Sequence, residues 1–107
     1  MNWKYEDGRI YSLDEQNNLI AEVTYVQKED GEIDIDEVYV NPEFRGQGIA
    51  GKAMEETAEF LRKKGLKTTA TCSYANSWLK KNKERYADII SDDLYSEAIA
   101  CKIDTKH

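Results

Sequence analysis

The chain has 107 residues, 40% of them hydrophobic and 34% charged, which suits one soluble globular domain with a modest core. Its net charge of −6 argues against a nucleic-acid partner, whose affinity rests on Lys and Arg, and no apolar run reaches the roughly 20 residues that span a bilayer. The single histidine, His107, is the last residue, which removes Ser-His-Asp catalysis, Cys-His catalysis and histidine metal sites; no metal is expected, and proton transfer falls to Glu, Asp, Tyr, Cys, Lys or water.

Met1 to Ser12 carries both charge signs and no apolar stretch of a leader, so the cytoplasm is the expected compartment. Arg9 to Leu13 reads as a short strand and Asp14 to Asn18 as a polar turn. Leu19 to Gln27 is the next strand, with Leu19, Ala21, Val23 and Tyr25 on one face. Asp30-Gly31 signals a hairpin, and a third strand follows from about Glu32 to Val40, so the chain opens as an antiparallel meander.

The third strand changes parity. Ile33 and Ile35 are apolar at odd positions, Val38 and Val40 at even ones. One extra residue near Asp36-Glu37, a β-bulge, restores a single core face; burial on both faces is the other reading. Asn41-Pro42 ends the strand.

A helix is expected from about Gln47 to Lys64, with Ala50, Met54, Thr57 and Leu61 at helical spacing and Ala53, Ala58 and Phe60 widening the stripe. Glu59 and Lys63 make an i,i+4 pair on its polar face, and Gly65 is a left-handed stop. Leu66 to Cys72 reads as a strand. Ser73 or Asn76 would cap a short helix running to about Lys83. Tyr86 to Ile90 is a short apolar segment, and Leu94, Ala98 and Cys101 suggest a last helix over Leu94 to Ile103. The expected organisation is one domain over 1–107, with a core at about 9–90 and an extension at 91–107.

Strand, helix and strand from Glu32 to Cys72 have the length of a βαβ unit, so the two strands should run parallel with a right-handed crossover. Val40, Cys72 and the helix N-terminus then share one sheet edge, where open α/β sheets bind ligands. At that edge Arg45-Gly46-Gln47-Gly48-Ile49-Ala50 combines permissive glycines, unpaired helical N–H groups and one guanidinium, the ingredients of a phosphate or pyrophosphate cradle. Neither the P-loop nor the dinucleotide-binding glycine pattern is present.

Arg45-x-x-Gly48-x-Ala50 resembles the Arg/Gln-x-x-Gly-x-Gly/Ala motif of the GNAT N-acetyltransferases. The run from Asn41 to Leu79, with Cys72-Ser73-Tyr74 after the later strand, is similar to the small single-domain members of that superfamily; the resemblance covers roughly Leu19 to Ile90. It implies an α/β (α+β) fold with a GNAT-like mixed sheet, in which a parallel strand pair follows the meander at the ligand edge. It also implies that acetyl-CoA is the cosubstrate. The backbone of Gln47 to Ala50 would hold its pyrophosphate, and the backbone of Val38, Tyr39 and Val40 would pair with its pantetheine arm.

Acetyl transfer to an amine needs a base, a polarised thioester carbonyl and an acid for the departing thiolate. Glu37 is the candidate base and a backbone N–H near Tyr39 or Val40 the polarising group. Tyr74 and Tyr86 are candidate acids. Cys72 either accepts the acyl group or lines the pocket; with no histidine to activate it, that task falls to a helix N-terminus. Asn76 is a candidate donor to the pantetheine arm, Trp78 reads as core, and Lys80, Lys81 and Lys83 read as a solvated face.

The leading function is an acetyl-CoA-dependent N-acetyltransferase with an unidentified amine acceptor, working as a monomer or homodimer. A non-catalytic acyl-CoA binding or sensing module and a protein-interaction domain without cofactor are the alternatives.

Overall fold

A computed structural model describes residues 1–95. Its elements are strands β1 (Trp3–Glu6), β2 (Arg9–Leu13), β3 (Leu19–Gln27) and β4 (Ile33–Val40), helix α1 (Ile49–Lys64), strand β5 (Thr68–Ala70) and helix α2 (Ser73–Lys81), with 3-10 turns at Pro42–Phe44, Ala87–Ile89 and Asp92–Tyr95. The five strands form one mixed sheet in the order β1-β2-β3-β4-β5, antiparallel except for the parallel pair β4 and β5. No described helix is long and apolar enough to cross a membrane.

The meander and the parallel crossover are as the sequence pattern implies, and the bounds of β2 and β3 agree with it. The bulge is present. Thr24 faces Glu37 and Tyr25 faces Ile35, which leaves Asp36 as the extra residue of β4. It lets Ile33, Ile35, Val38 and Val40 all turn toward the core that α1 covers. A second irregularity, at Ile20 between the partners of Ser12 and Leu13, buries Ile20 beside Ala21, so the expected alternating face holds from Ala21 but not at Leu19.

Several expectations are corrected. β1 was not anticipated; it pairs with β2, and its Trp3 packs on the core. α1 begins at Ile49 rather than Gln47, because Gly46 and Gly48 both hold positive φ, +82° and +73°, outside helical geometry. β5 spans three residues instead of seven. The cap of α2 is Cys72, neither Ser73 nor Asn76, and α2 ends at Lys81. Glu59 pairs with Arg62 at 3.1 Å instead of with Lys63. Gly65 does stop α1 in the left-handed region, at φ +69°. Leu94 lies in the 3-10 turn Asp92–Tyr95, and the remainder of the expected last helix, with Cys101, falls outside the described residues.

The main core joins Val23, Ile33 and Ile35 of the sheet to Ala53, Met54, Ala58 and Leu61 of α1 and to Ala75 and Leu79 of α2. A smaller cluster of Ile20, Ala21 and Ile49, with Val40 and Phe44 packed on it, seats the start of α1 against the ends of β3 and β4. Apolar contacts thus anchor the chain on both sides of the glycine turn.

Candidate active site

The turn from Arg45 to Gly48 loops out between two anchors, half-buried Phe44 and buried Ile49. Asn41 starts the 3-10 turn Pro42–Phe44 by accepting the Glu43 N–H on its side chain at 3.0 Å, and its own amide donates to the Leu19 carbonyl at 2.9 Å. Gly48 then caps α1 without a side chain, and the first turn of the helix holds no acidic residue. The N–H groups of Gly48 to Gly51 precede the first helical hydrogen bond, which runs from the Lys52 N–H to the Gly48 carbonyl at 3.2 Å. These donors and the positive end of the helix dipole face the same opening as exposed Arg45, which makes no ion pair among the described residues and donates through Nε to the Val40 carbonyl at 3.3 Å.

The edge of β4 beside this turn is open. The Asn41 N–H donates to the Ile20 carbonyl at 2.8 Å. Alternation along an antiparallel ladder then directs the main-chain groups of Tyr39 and Glu37 to β3 and those of Val38 and Val40 to the other side. There β5 ends early. Ile35 and Ala70 form the last parallel pair, and the N–H groups of Thr71 and Cys72 converge on the one Ile35 carbonyl at 3.1 and 3.2 Å. Past that point the chain turns away into α2, so among the described residues no strand pairs with Val38 or Val40 on this side. The two strands part at the bulge.

Val38, Val40, Phe44, Arg45, Gly46, Gly48, Ile49, Ala50, Gly51 and Tyr74 line a single cleft of about 370 Å³ between this open edge, the first turn of α1 and the start of α2. Tyr74 stands at its wall, 42% exposed. Burial, and after it the neighbouring Cys72, raise its phenol above the ordinary tyrosine value, so the neutral, proton-bearing form is favoured.

Other sequence candidates sit elsewhere. Gln47 is exposed on the turn but does not line the cleft. Cys72 is half-buried at the cap of α2, packed against the main core. Asn76 is buried, and its amide donates to the Ala70 carbonyl at 3.0 Å, so that group ties α2 to β5. Glu37 is exposed, across the sheet from α1, on the face where Asp36 accepts the Thr24 hydroxyl at 2.6 Å. Tyr86 is fully buried behind α2, stacked on Trp78 with ring centroids 5.3 Å apart; burial raises its phenol too, and its hydroxyl has no partner among the described residues. Trp78 is half-buried and packs against the main core, and Lys80 lies over the Tyr95 ring at 5.2 Å. Two cleft residues went unread in the sequence, Phe44 and Gly51. The Asn41-Pro42 cap signature could have placed Phe44.

Residues 9–89 match the family model of the GCN5-related N-acetyltransferases. The solution structure of a GCN5-like candidate N-acetyltransferase from Staphylococcus aureus is 34% identical, covers 84% of this chain and 87% of its own, and superposes with a TM-score of 0.68. A ribosomal-protein-alanine N-acetyltransferase from Brucella melitensis biovar Abortus is far more distant, at 18% identity over 81% of this chain and 68% of its own with a TM-score of 0.47. No curated protein matches the chain.

Proposed function

The chain belongs to the GCN5-related N-acetyltransferase family, and we propose that it uses acetyl-CoA to acetylate an amine, with the cosubstrate lying in the cleft between β4 and α2. One observation carries this reading: among the described residues, the main-chain groups of Val38 and the N–H of Val40 are unspent, and they lie beside an acid-free helix N-terminus and an arginine that makes no ion pair. The first set suits an extended amide-bearing arm, which would add to β4 as a strand does. The second suits a pyrophosphate, held by the backbone of Gly46 to Ala50, with Gln47 on the turn and Arg45 beside it.

In this pose the thioester lies between Val38 and the start of α2. The Val40 N–H, or that of Val38, polarises the carbonyl; Tyr39 is excluded from this role because its main-chain groups serve β3. The amine nitrogen attacks the carbonyl carbon, the C–S bond breaks, and Tyr74 supplies the proton to the departing thiolate. The amine proton leaves to water, or through water to Glu37 on the other face of the sheet. Cys72 lies at the parting of the strands, and an acyl-cysteine stage there is a separable variant of the same reaction. Asn76 and Tyr86 contribute packing rather than contact with the cosubstrate.

A second reading is favoured by the lining itself, which holds no carboxylate among the described residues: a module that binds acyl-CoA without turning it over. Calorimetric titration with CoA tests both readings, and absence of binding sinks them together. Release of free CoA from acetyl-CoA across a panel of amines then separates enzyme from binder. Intact-mass measurement after acetyl-CoA alone reads the covalent variant, which requires an acetyl adduct that Cys72→Ala abolishes.

A further inference from the structure

Gly51 is the third residue of α1, and nothing among the described residues requires a glycine there. It holds no positive φ, and a Cβ built on it would meet only the Trp78 Nε1 at 3.9 Å and the Tyr74 hydroxyl at 4.0 Å, ordinary contact distances. Alanine favours a helix over glycine, so local energetics would select it. The missing side chain leaves space in the cleft, which Gly51 lines.

Two hydrogen-bonding groups stand next to Gly51: the Tyr74 hydroxyl, whose residue lines the cleft, and the Trp78 indole N–H, whose residue lies outside that lining and comes near only at Gly51. Tyr74 and Trp78 stand four residues apart on α2 and so share a face of it. Neither the Tyr74 hydroxyl nor the Trp78 indole N–H has a hydrogen-bond partner among the described residues, although both lie within about 4 Å of the point where a Gly51 side chain would begin. Stacking of Trp78 on Tyr86 fixes the indole plane. An indole N–H can only donate. Among the described residues, the lining here carries no charge other than Arg45 at the far end of the turn, so the complementary group is a neutral acceptor, not a phosphate.

We propose that Gly51, Trp78 and Tyr74 form a carbonyl subsite: the pantetheine arm passes against the bare first turn of α1, the Trp78 indole donates to one of its amide carbonyls, and Tyr74 meets the sulfur end. This rests on the acetyl-CoA reading above and adds a length-specific contact to it. Gly51 makes the room, and Trp78 sets the depth to which the arm enters.

Calorimetry on wild type, Gly51→Ala and Trp78→Phe tests it, with CoA and with 3′-phosphoadenosine 5′-diphosphate, which keeps the pyrophosphate and lacks the arm. Gly51→Ala is expected to raise Tm by about 2–5 °C, as a better helix former should, yet weaken CoA at least about fivefold. Trp78→Phe keeps the ring stack and is expected to weaken CoA about three- to tenfold. Both variants should bind the armless nucleotide as wild type does. If CoA binds the wild type and both variants equally well, the subsite is wrong while the cosubstrate reading stands. An equal loss for CoA and the armless nucleotide also overturns it. If the wild type binds neither probe, the cosubstrate reading itself has failed.

Discussion

The Asp34 carboxylate accepts the Thr71 hydroxyl at 2.7 Å, one residue past the end of β5. Its other oxygen accepts the Thr69 hydroxyl at 2.6 Å, and Lys28 lies 3.4 Å from that hydroxyl. Asp34 therefore straps β5 to β4 on the face opposite α1, immediately before the strands part. The strap decides where the cleft begins.

Removing it should be expensive. Asp34→Ala leaves the hydroxyl of fully buried Thr69 with two long contacts, to the Ile33 carbonyl and from the Lys28 ammonium, each at 3.4 Å, and we expect a loss of about 2–3 kcal/mol in urea unfolding. Asp34→Asn keeps one acceptor oxygen and should lose clearly less. Equal stability of all three proteins would show that the strap carries no load.

Among the described residues, Arg45 brings the only full positive charge to the cleft lining. Arg45→Ala should weaken CoA about tenfold without moving Tm, since the side chain is exposed and its one hydrogen bond is to a carbonyl. The loss should shrink as salt is raised. Unchanged affinity would displace the pyrophosphate from this turn.

Tyr74 should reveal itself in rate rather than binding. With an active amine in hand, Tyr74→Phe is expected to lower kcat about 10²-fold and to leave KM within a fewfold. The raised phenol sets the sign of the pH effect: the proton is retained past the ordinary value near 10, so the alkaline fall in wild-type rate should begin above that pH. A profile that falls near pH 8 would assign the acid elsewhere.

Asp88 offers a test of stability against acid. The Arg62 guanidinium grips its two oxygens at 2.7 and 3.0 Å and holds the carboxyl below its ordinary value of 3.8. Because the folded-state value is depressed, the contribution is complete above about pH 4 and is lost as pH falls through the lower folded value. Asp88→Asn should therefore flatten the stability profile below pH 4 relative to wild type, by a small amount, because the pair is half-exposed. Acid unfolding curves with identical slopes would remove Asp88 from the account.

Much of this was legible beforehand because period-two and period-3.6 patterns speak directly to burial. Ile33 and Ile35 against Val38 and Val40 located the bulge to within a residue, and Gly65 located the end of α1. What failed lacked a burial signature. Trp3–Glu6 has a single half-buried residue, too weak an alternation to stand out. Thr71 and Cys72 read as strand because threonine and small apolar residues favour extended backbone, yet both amides are drawn to one carbonyl and the strand stops. Asn76 looked like a ligand donor by its place after the strand, but its burial spends its amide on Ala70. Whether Gln47 to Ala50 and Arg45 serve an anion is a question of unpaired donors, which no hydropathy pattern encodes.

The short β5 also bears on the order in which the molecule assembles. The meander closes through near neighbours, as in the pairing of Glu6 with Arg9, whereas Asp34 and Thr69 stand 35 positions apart. Loop closure of that length costs entropy before any contact repays it, so the β4 and β5 junction is expected among the last parts to form. The open edge beside it should then be absent from the folding transition state. A molecule seated there should slow unfolding while leaving the refolding rate as it was.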